Sequence, residues 1–93
     1  MGPILERVAT AFGVTIEQMR SPSRFRQIVD ARRAFALWSY KLDYTPTQIA
    51  LYLRSDASSV NHWIRSGANR LEVGGMGYDA EFHRRYAMAQ SAL

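Results

Sequence analysis

The sequence predicts an all-α fold, a compact bundle of about six helices that contains a helix-turn-helix. Apolar residues recur at steps of three and four along most of the chain, which is the period of an α-helix. Residue pairs that cap helices precede several of these runs. No segment alternates apolar and polar residues for long, and residues 71–73 are the only weak candidate for a strand. A chain of 93 residues accommodates one core, so residues 1–93 are expected to form a single domain.

The first two helices are short and have clear boundaries. Pro3 suits the first position of a helix, and Gly13 ends the apolar run that follows it. Thr15 and Gln18 have the spacing of a capping box, which predicts a short helix over residues 16–20 before the Ser21-Pro22 turn.

A long central helix is predicted from Arg24 to Leu42, with Ser23 as its cap. About five turns pass without proline or glycine. Its apolar positions follow steps of three or four: Ile28, Ala31, Phe35, Trp38 and Leu42.

The second half of the chain predicts three more helices. Thr45 caps a short helix that begins at Pro46, and either Ser55 or Asp56 begins the next one. Gly67 is the expected end of that helix. A glycine-bearing connection over residues 69–77 leads to a last helix that starts at Asp79.

Positive charge is concentrated in one segment. The chain carries a net charge of +4, and residues 20–33 contain five arginines against one aspartate. Arginine suits forked contacts to phosphate or guanine, which favours a nucleic-acid partner. A GC-rich coding sequence would also raise the arginine count, but it would not explain the clustering.

Residues 46–65 have the outline of a helix-turn-helix, since a short helix and a tight turn precede a helix that opens with small polar residues. Small side chains at that position allow close approach to base edges in the major groove. Two helices joined by a turn are also common in helical domains that bind no DNA.

Several segments resemble the C-terminal DNA-binding domain family of the bacterial replication initiator DnaA. Residues 8–24 resemble the family's opening, in which a valine-alanine helix leads through a short helix to a basic loop. Residues 26–33 resemble its arginine, four residues, alanine-arginine pattern, and residues 49–60 resemble its isoleucine-glycine to threonine-threonine-valine motif. Residues 79–82 resemble the start of its closing helix.

The resemblance implies a site for double-stranded DNA with two groups of residues. The implied base contacts are Arg32 in the minor groove and Asp56, Ser58 and Ser59 in the major groove. Ser55, Ala57 and His62, which lie beside them, are further expected base contacts. From charge and placement, the expected phosphate contacts are Arg24, Arg26, Lys41, Arg54 and Arg65. Thr47 and Gln48 are also expected to contact phosphate.

The sequence also departs from the family pattern. Ser55 and Ala57 stand where the family has arginine and histidine, and Leu53 and Arg54 stand near its paired glycines. A lost base contact costs about 1 to 3 kcal/mol of discrimination, so these changes are expected to alter the preferred sequence. Related domains occur in phage-like and gene-transfer-agent activators, which favours a regulator of transcription. The alternatives are origin recognition as part of a replication initiator and a protein-interaction module on the same scaffold.

Other classes of function find little support in the residues. The chain has no cysteine and only two histidines, and it lacks a phosphate-binding loop. We therefore expect no enzyme, no metal, no cofactor, no small-molecule substrate and no membrane partner. The expected partners are double-stranded DNA and other protein domains or the transcription machinery, in the cytoplasm and associated with the nucleoid.

Overall fold

A computed structural model of the protein describes residues 1–91. These residues form six helices and no strand: α1 Gly2–Phe12, α2 Ile16–Arg20, α3 Arg26–Lys41, α4 Pro46–Leu53, α5 Ala57–Leu71 and α6 Ala80–Ser91. The all-α bundle predicted from the sequence is confirmed. The described helices include none that is long and apolar enough to cross a membrane.

Helix α3 lies at the centre of the bundle and packs against α1, α2, α4 and α5, while α6 packs against α1 and α5. The largest fully buried side chains include Phe12, Phe35 and Phe82, one from each of α1, α3 and α6. Burying a side chain of this size stabilises the fold by roughly 2 to 3 kcal/mol. The Phe12 and Phe82 rings lie 5.7 Å apart between centroids, which holds α6 on α1.

The capping box predicted at Thr15 is present, and the predicted cap at Thr45 is a second one. In the first, the Thr15 hydroxyl accepts a hydrogen bond from the Gln18 amide at 3.0 Å, and the Gln18 side chain accepts one from the Thr15 amide at 2.9 Å. Thr45 and Gln48 repeat this exchange at 3.2 and 2.9 Å. These bonds satisfy amide groups that the first turn of a helix would otherwise leave unpaired.

The long central helix begins later than predicted. Ser23 does not cap it, because the helix starts at Arg26 and Phe25 occupies the capping position without a side-chain hydrogen bond. The Ser23 hydroxyl instead accepts a hydrogen bond from the Phe25 amide at 3.3 Å within the preceding loop. Arg24 therefore lies in this loop rather than on the helix.

The end predicted for α5 is also wrong. Helix α5 continues through Gly67 to Leu71, so residues 71–73 form no strand either. Gly67 is buried against α3, and a Cβ added there would lie 3.1 Å from the Arg33 carbonyl oxygen. Gly67 thus lets α3 and α5 approach closely because it has no side chain, and it does not end α5.

Candidate nucleic-acid interface

Helices α4 and α5 form the predicted helix-turn-helix. Helix α4 buries Ile49, Ala50 and Leu53, and it packs against α5 and α3. The chain leaves α4 through Arg54, whose backbone is left-handed with φ 53° and ψ 46°. The Ser55 amide then donates to the Ala50 carbonyl at 2.9 Å, which closes the helix.

Asp56 caps the second helix of the motif. Its Oδ1 atom accepts a hydrogen bond from the Ser59 amide at 2.7 Å. Of the two residues that the sequence left open as the start of α5, Asp56 is therefore the cap. One carboxylate oxygen is engaged in this way, so only the other is available to a ligand.

An exposed stripe runs along α5 from its first turn. It contains Ser58, Asn61, His62 and Arg65, all solvent-exposed and spaced to share one face of the helix. The opposite face meets the core through Val60, the partly buried Trp63 and Ile64, and Gly67. The four side chains of the stripe make no hydrogen bond or ion pair within residues 1–91, so they are free to meet a ligand.

The base contacts predicted from the sequence differ in their exposure. Ser55, Asp56, Ser58 and His62 are exposed at the start of α5, while Ala57 and Ser59 beside them are partly buried. Arg32 lines the same cleft as Ser55, but its side chain is buried.

Arg32, the predicted minor-groove residue, does not project from the surface in this structure. Its side chain is buried, with a relative exposure of 6% for the residue. The guanidinium donates to the carbonyl oxygens of Met19 at 2.8 Å, Ser23 at 2.6 Å and Gln18 at 3.3 Å, and also to that of Ser21. It also lies over the Trp63 ring, 5.8 Å from the centroid. The carbonyl groups at the end of α2 and in the following loop accept four hydrogen bonds from it, which is why it turns inward.

The charge of Arg32 has no carboxylate partner. No acidic group in the described chain forms an ion pair with it, and its hydrogen-bond acceptors are neutral carbonyls. Burial lowers the pKa of the Arg32 guanidinium from its ordinary value because desolvation disfavours the charged form. Arginine nevertheless stays protonated near neutral pH, so a buried positive charge lies beside the helix-turn-helix.

Arg33, the next residue, is paired within the fold. Its Nη1 atom lies 2.7 Å from Asp30 Oδ1, and its Nε atom donates to the Ser66 hydroxyl at 2.9 Å. Arg70 lies 3.5 Å from the same Asp30 oxygen. The arginine cluster of the sequence is thus divided, since part of it joins α3 to α5 and only part reaches the surface.

The predicted phosphate contacts also divide. Arg24, Thr47, Gln48, Arg54 and Arg65 are exposed in the loop before α3 and on the helix-turn-helix. The Arg26 side chain is 75% exposed, yet its Nη2 atom pairs with Asp79 at 2.6 Å.

Lys41 lies outside the helix-turn-helix. Its Nζ atom packs 5.7 Å from the centroid of the Tyr86 ring on α6. Arg26 and Lys41 are at the two ends of α3, about 22 Å apart at the rise of an α-helix.

Arg20 also lies at this site, although the sequence did not indicate it. This last residue of α2 donates from Nε to the Tyr52 carbonyl on α4 at 2.7 Å, which places it beside the helix-turn-helix. Its membership of the arginine-rich segment was the only signal, because the contact joins residues 32 positions apart. Among residues 1–91, no group of three or more metal-binding side chains is present.

Comparison with known proteins identifies a family for this chain. The family model described as the bacterial DnaA protein helix-turn-helix matches residues 2–66, which span α1 to α4 and most of α5. The resemblance inferred from the sequence is therefore confirmed. No curated protein matches the chain.

Proposed function

The chain belongs to the bacterial DnaA helix-turn-helix family, a family of double-stranded DNA-binding domains, and on that premise we propose that it is a sequence-specific regulator of transcription. The start of α5 enters the major groove, and cations of the preceding loop and of the motif contact the phosphate backbone. The exposed, unpartnered stripe on α5 is the observation that carries this proposal.

The chemistry of the stripe suits base recognition. Asn61 can form a paired contact with adenine, and Ser58 can bond to several base edges. His62 lies one turn after Ser58 and extends the same face. Arg65 is one turn further along and suits a phosphate or a guanine. The free oxygen of Asp56 can accept from a cytosine amino group.

The buried position of Arg32 gives this residue a different role in the proposal. A side chain held by carbonyl groups supports the loop before α3 from within and does not itself enter a groove. Arg24 and Arg26, exposed in that loop and at the start of α3, are then the phosphate contacts of this half of the interface.

Residues in the turn support a target other than the initiator's usual site. Ser55 and Ala57 replace the arginine and histidine of the family pattern, so two potential base contacts differ. Discrimination falls by about 1 to 3 kcal/mol for each lost contact. A changed target favours a regulator, whereas the family itself favours origin recognition.

Selection of bound duplexes from a random pool tests the proposal. Ser58→Ala and Asn61→Ala should change the selected sequence, and Arg65→Ala should weaken binding to it. Arg84→Ala on α6 is the matched control for a lost positive charge, because Arg84 pairs with Glu81 away from the motif. Recovery of the initiator's nine-base box would favour origin recognition. Failure to bind any duplex at low salt would favour a protein-interaction module.

A further inference from the structure

A cleft lies between α2, the α4–α5 turn and α5. It has a volume of about 380 Å³, and its lining includes Arg20, Arg32, Arg54 and Ser55, with Trp63 on one wall. The lining contains three arginines and no carboxylate. Positive charge without a counter-ion in a partly enclosed space attracts an anion.

The three guanidinium groups differ in how they are held. Arg32 is fixed by the carbonyl groups of α2 and the following loop, and it contributes a buried charge that no carboxylate offsets. Arg20 uses only Nε within the described chain, so its two terminal nitrogens remain available. Arg54 makes no side-chain hydrogen bond or ion pair with any of residues 1–91.

The backbone at Arg54 also sets it apart. Its φ of 53° lies in the left-handed region, where glycine is the favoured residue and a bulky side chain is strained. Arginine is therefore a poor choice for the turn itself. Outliers of this kind occur where a side chain serves a ligand.

The cleft is adjacent to the reading helix. Arg54 and Ser55 immediately precede Asp56, the cap of α5. When the start of α5 lies in a major groove, the phosphates that border the groove come next to this turn. A volume equal to about a dozen water molecules leaves room for a phosphate group and its hydration.

We propose that this cleft binds one phosphate group of the DNA backbone, with Arg20 and Arg54 as its ligands and Arg32 as a positioning residue beneath them. The proposal rests on the DNA-binding function above. It assigns to Arg20 a contact that the sequence did not suggest, and it gives the buried charge of Arg32 a counter-ion in the complex.

The variants Arg20→Gln and Arg54→Asn test the proposal by fluorescence anisotropy with a selected duplex. Glutamine can still donate to the Tyr52 carbonyl, and asparagine tolerates the left-handed backbone, so both remove charge while sparing the fold. Each should bind roughly tenfold more weakly, as expected for a lost charge-assisted hydrogen bond. The plot of log affinity against log salt should become less steep by about 0.9 for one lost phosphate contact.

A chemical arm identifies the phosphate. Duplexes with one neutral methylphosphonate at successive positions should reveal a position where wild-type affinity falls by a similar factor. At that position alone, Arg54→Asn should cause little further loss, because the charge it would contact is already gone. This arm needs only Arg54→Asn, so it stands even if Arg20→Gln fails to fold.

Arg84→Gln is the matched control, with the same change in net charge. If Arg20→Gln and Arg54→Asn bind like this control, the cleft is not a phosphate site, although the DNA-binding function stands. The inference also fails if the loss of binding free energy from Arg54→Asn adds to that from the methylphosphonate at every position. The proposal would also be overturned if sodium phosphate stabilised the wild type but not Arg54→Asn, while both proteins bound DNA equally well. The cleft would then be a site for a free anion. Wild-type protein that binds no duplex would instead overturn the proposed function, and this inference with it.

Discussion

Replacing Arg32 with alanine should destabilise the fold, because the guanidinium works inside the protein. Its removal breaks hydrogen bonds to four carbonyl groups. Each bond contributes about 1 kcal/mol net, and more with a charged donor, although some carbonyls will gain water. We expect a loss of about 3 to 5 kcal/mol in the free energy of unfolding. Domains of this size have only about 5 to 15 kcal/mol, so Arg32→Ala should be near its limit of stability.

Urea unfolding measures this loss. Tryptophan fluorescence follows the transition, because Trp63 lies under the guanidinium and Trp38 packs against the core. The midpoint should fall while the slope with denaturant stays unchanged, because a changed midpoint at constant slope identifies a change in stability. Arg32→Lys keeps the charge but loses the fork of donors, and its stability should fall between those of the alanine variant and the wild type.

Arg24→Ala is the control for these measurements. Arg24 is an exposed arginine in the loop that Arg32 supports, and its removal should change stability by less than about 0.5 kcal/mol. The internal role of Arg32 would be refuted if Arg32→Ala were as stable as Arg24→Ala and yet bound DNA at least tenfold more weakly than the wild type. That result would support a direct contact between Arg32 and the minor groove of the DNA.

Three further predictions concern the cap, a close helix contact and the alkaline limit. Asp56→Ala should lower the free energy of unfolding by about 1 kcal/mol, because it removes the α5 cap. Asp56→Asn should retain the cap. A change in the selected DNA sequence with the asparagine variant would therefore show that the carboxylate itself contacts a base. Gly67→Val should lower the free energy of unfolding in urea by at least about 2 kcal/mol, because even a Cβ there would lie 3.1 Å from the Arg33 carbonyl oxygen. Ala68→Val, on the exposed side of α5, should lower it by less than about 1 kcal/mol. Equal losses would contradict the close contact. Burial raises the pKa of Tyr86 to about 12, so its contribution to stability is complete below the unfolded pKa near 10 and is lost as the pH rises toward 12. Between about pH 9 and about pH 11, the free energy of unfolding of Tyr86→Phe should therefore fall by about 1 kcal/mol less than that of the wild type. Identical losses would exclude the titration of Tyr86 as a cause.

The sequence alone predicted the helices whose limits depend on local contacts. Thr15 and Gln18, like Thr45 and Gln48, cap their helices with residues three positions away, so each signal lies within one turn of chain. The apolar period of three to four predicted the bundle in the same way. The helix-turn-helix and its exposed tip followed from these local signals together with the family resemblance.

Only the tertiary structure decided which arginines face outward. Arg32 and Arg24 are the same residue type in the same basic segment, yet the carbonyl groups of α2 and the following loop capture one and leave the other exposed. Gly67 would end an isolated helix, but the closeness of α3 makes it a contact residue inside one. Arg20 reaches the helix-turn-helix through a bond to a residue 32 positions away. Such contacts depend on where distant segments meet, because burial and long-range hydrogen bonds outweigh the local preferences that a sequence displays.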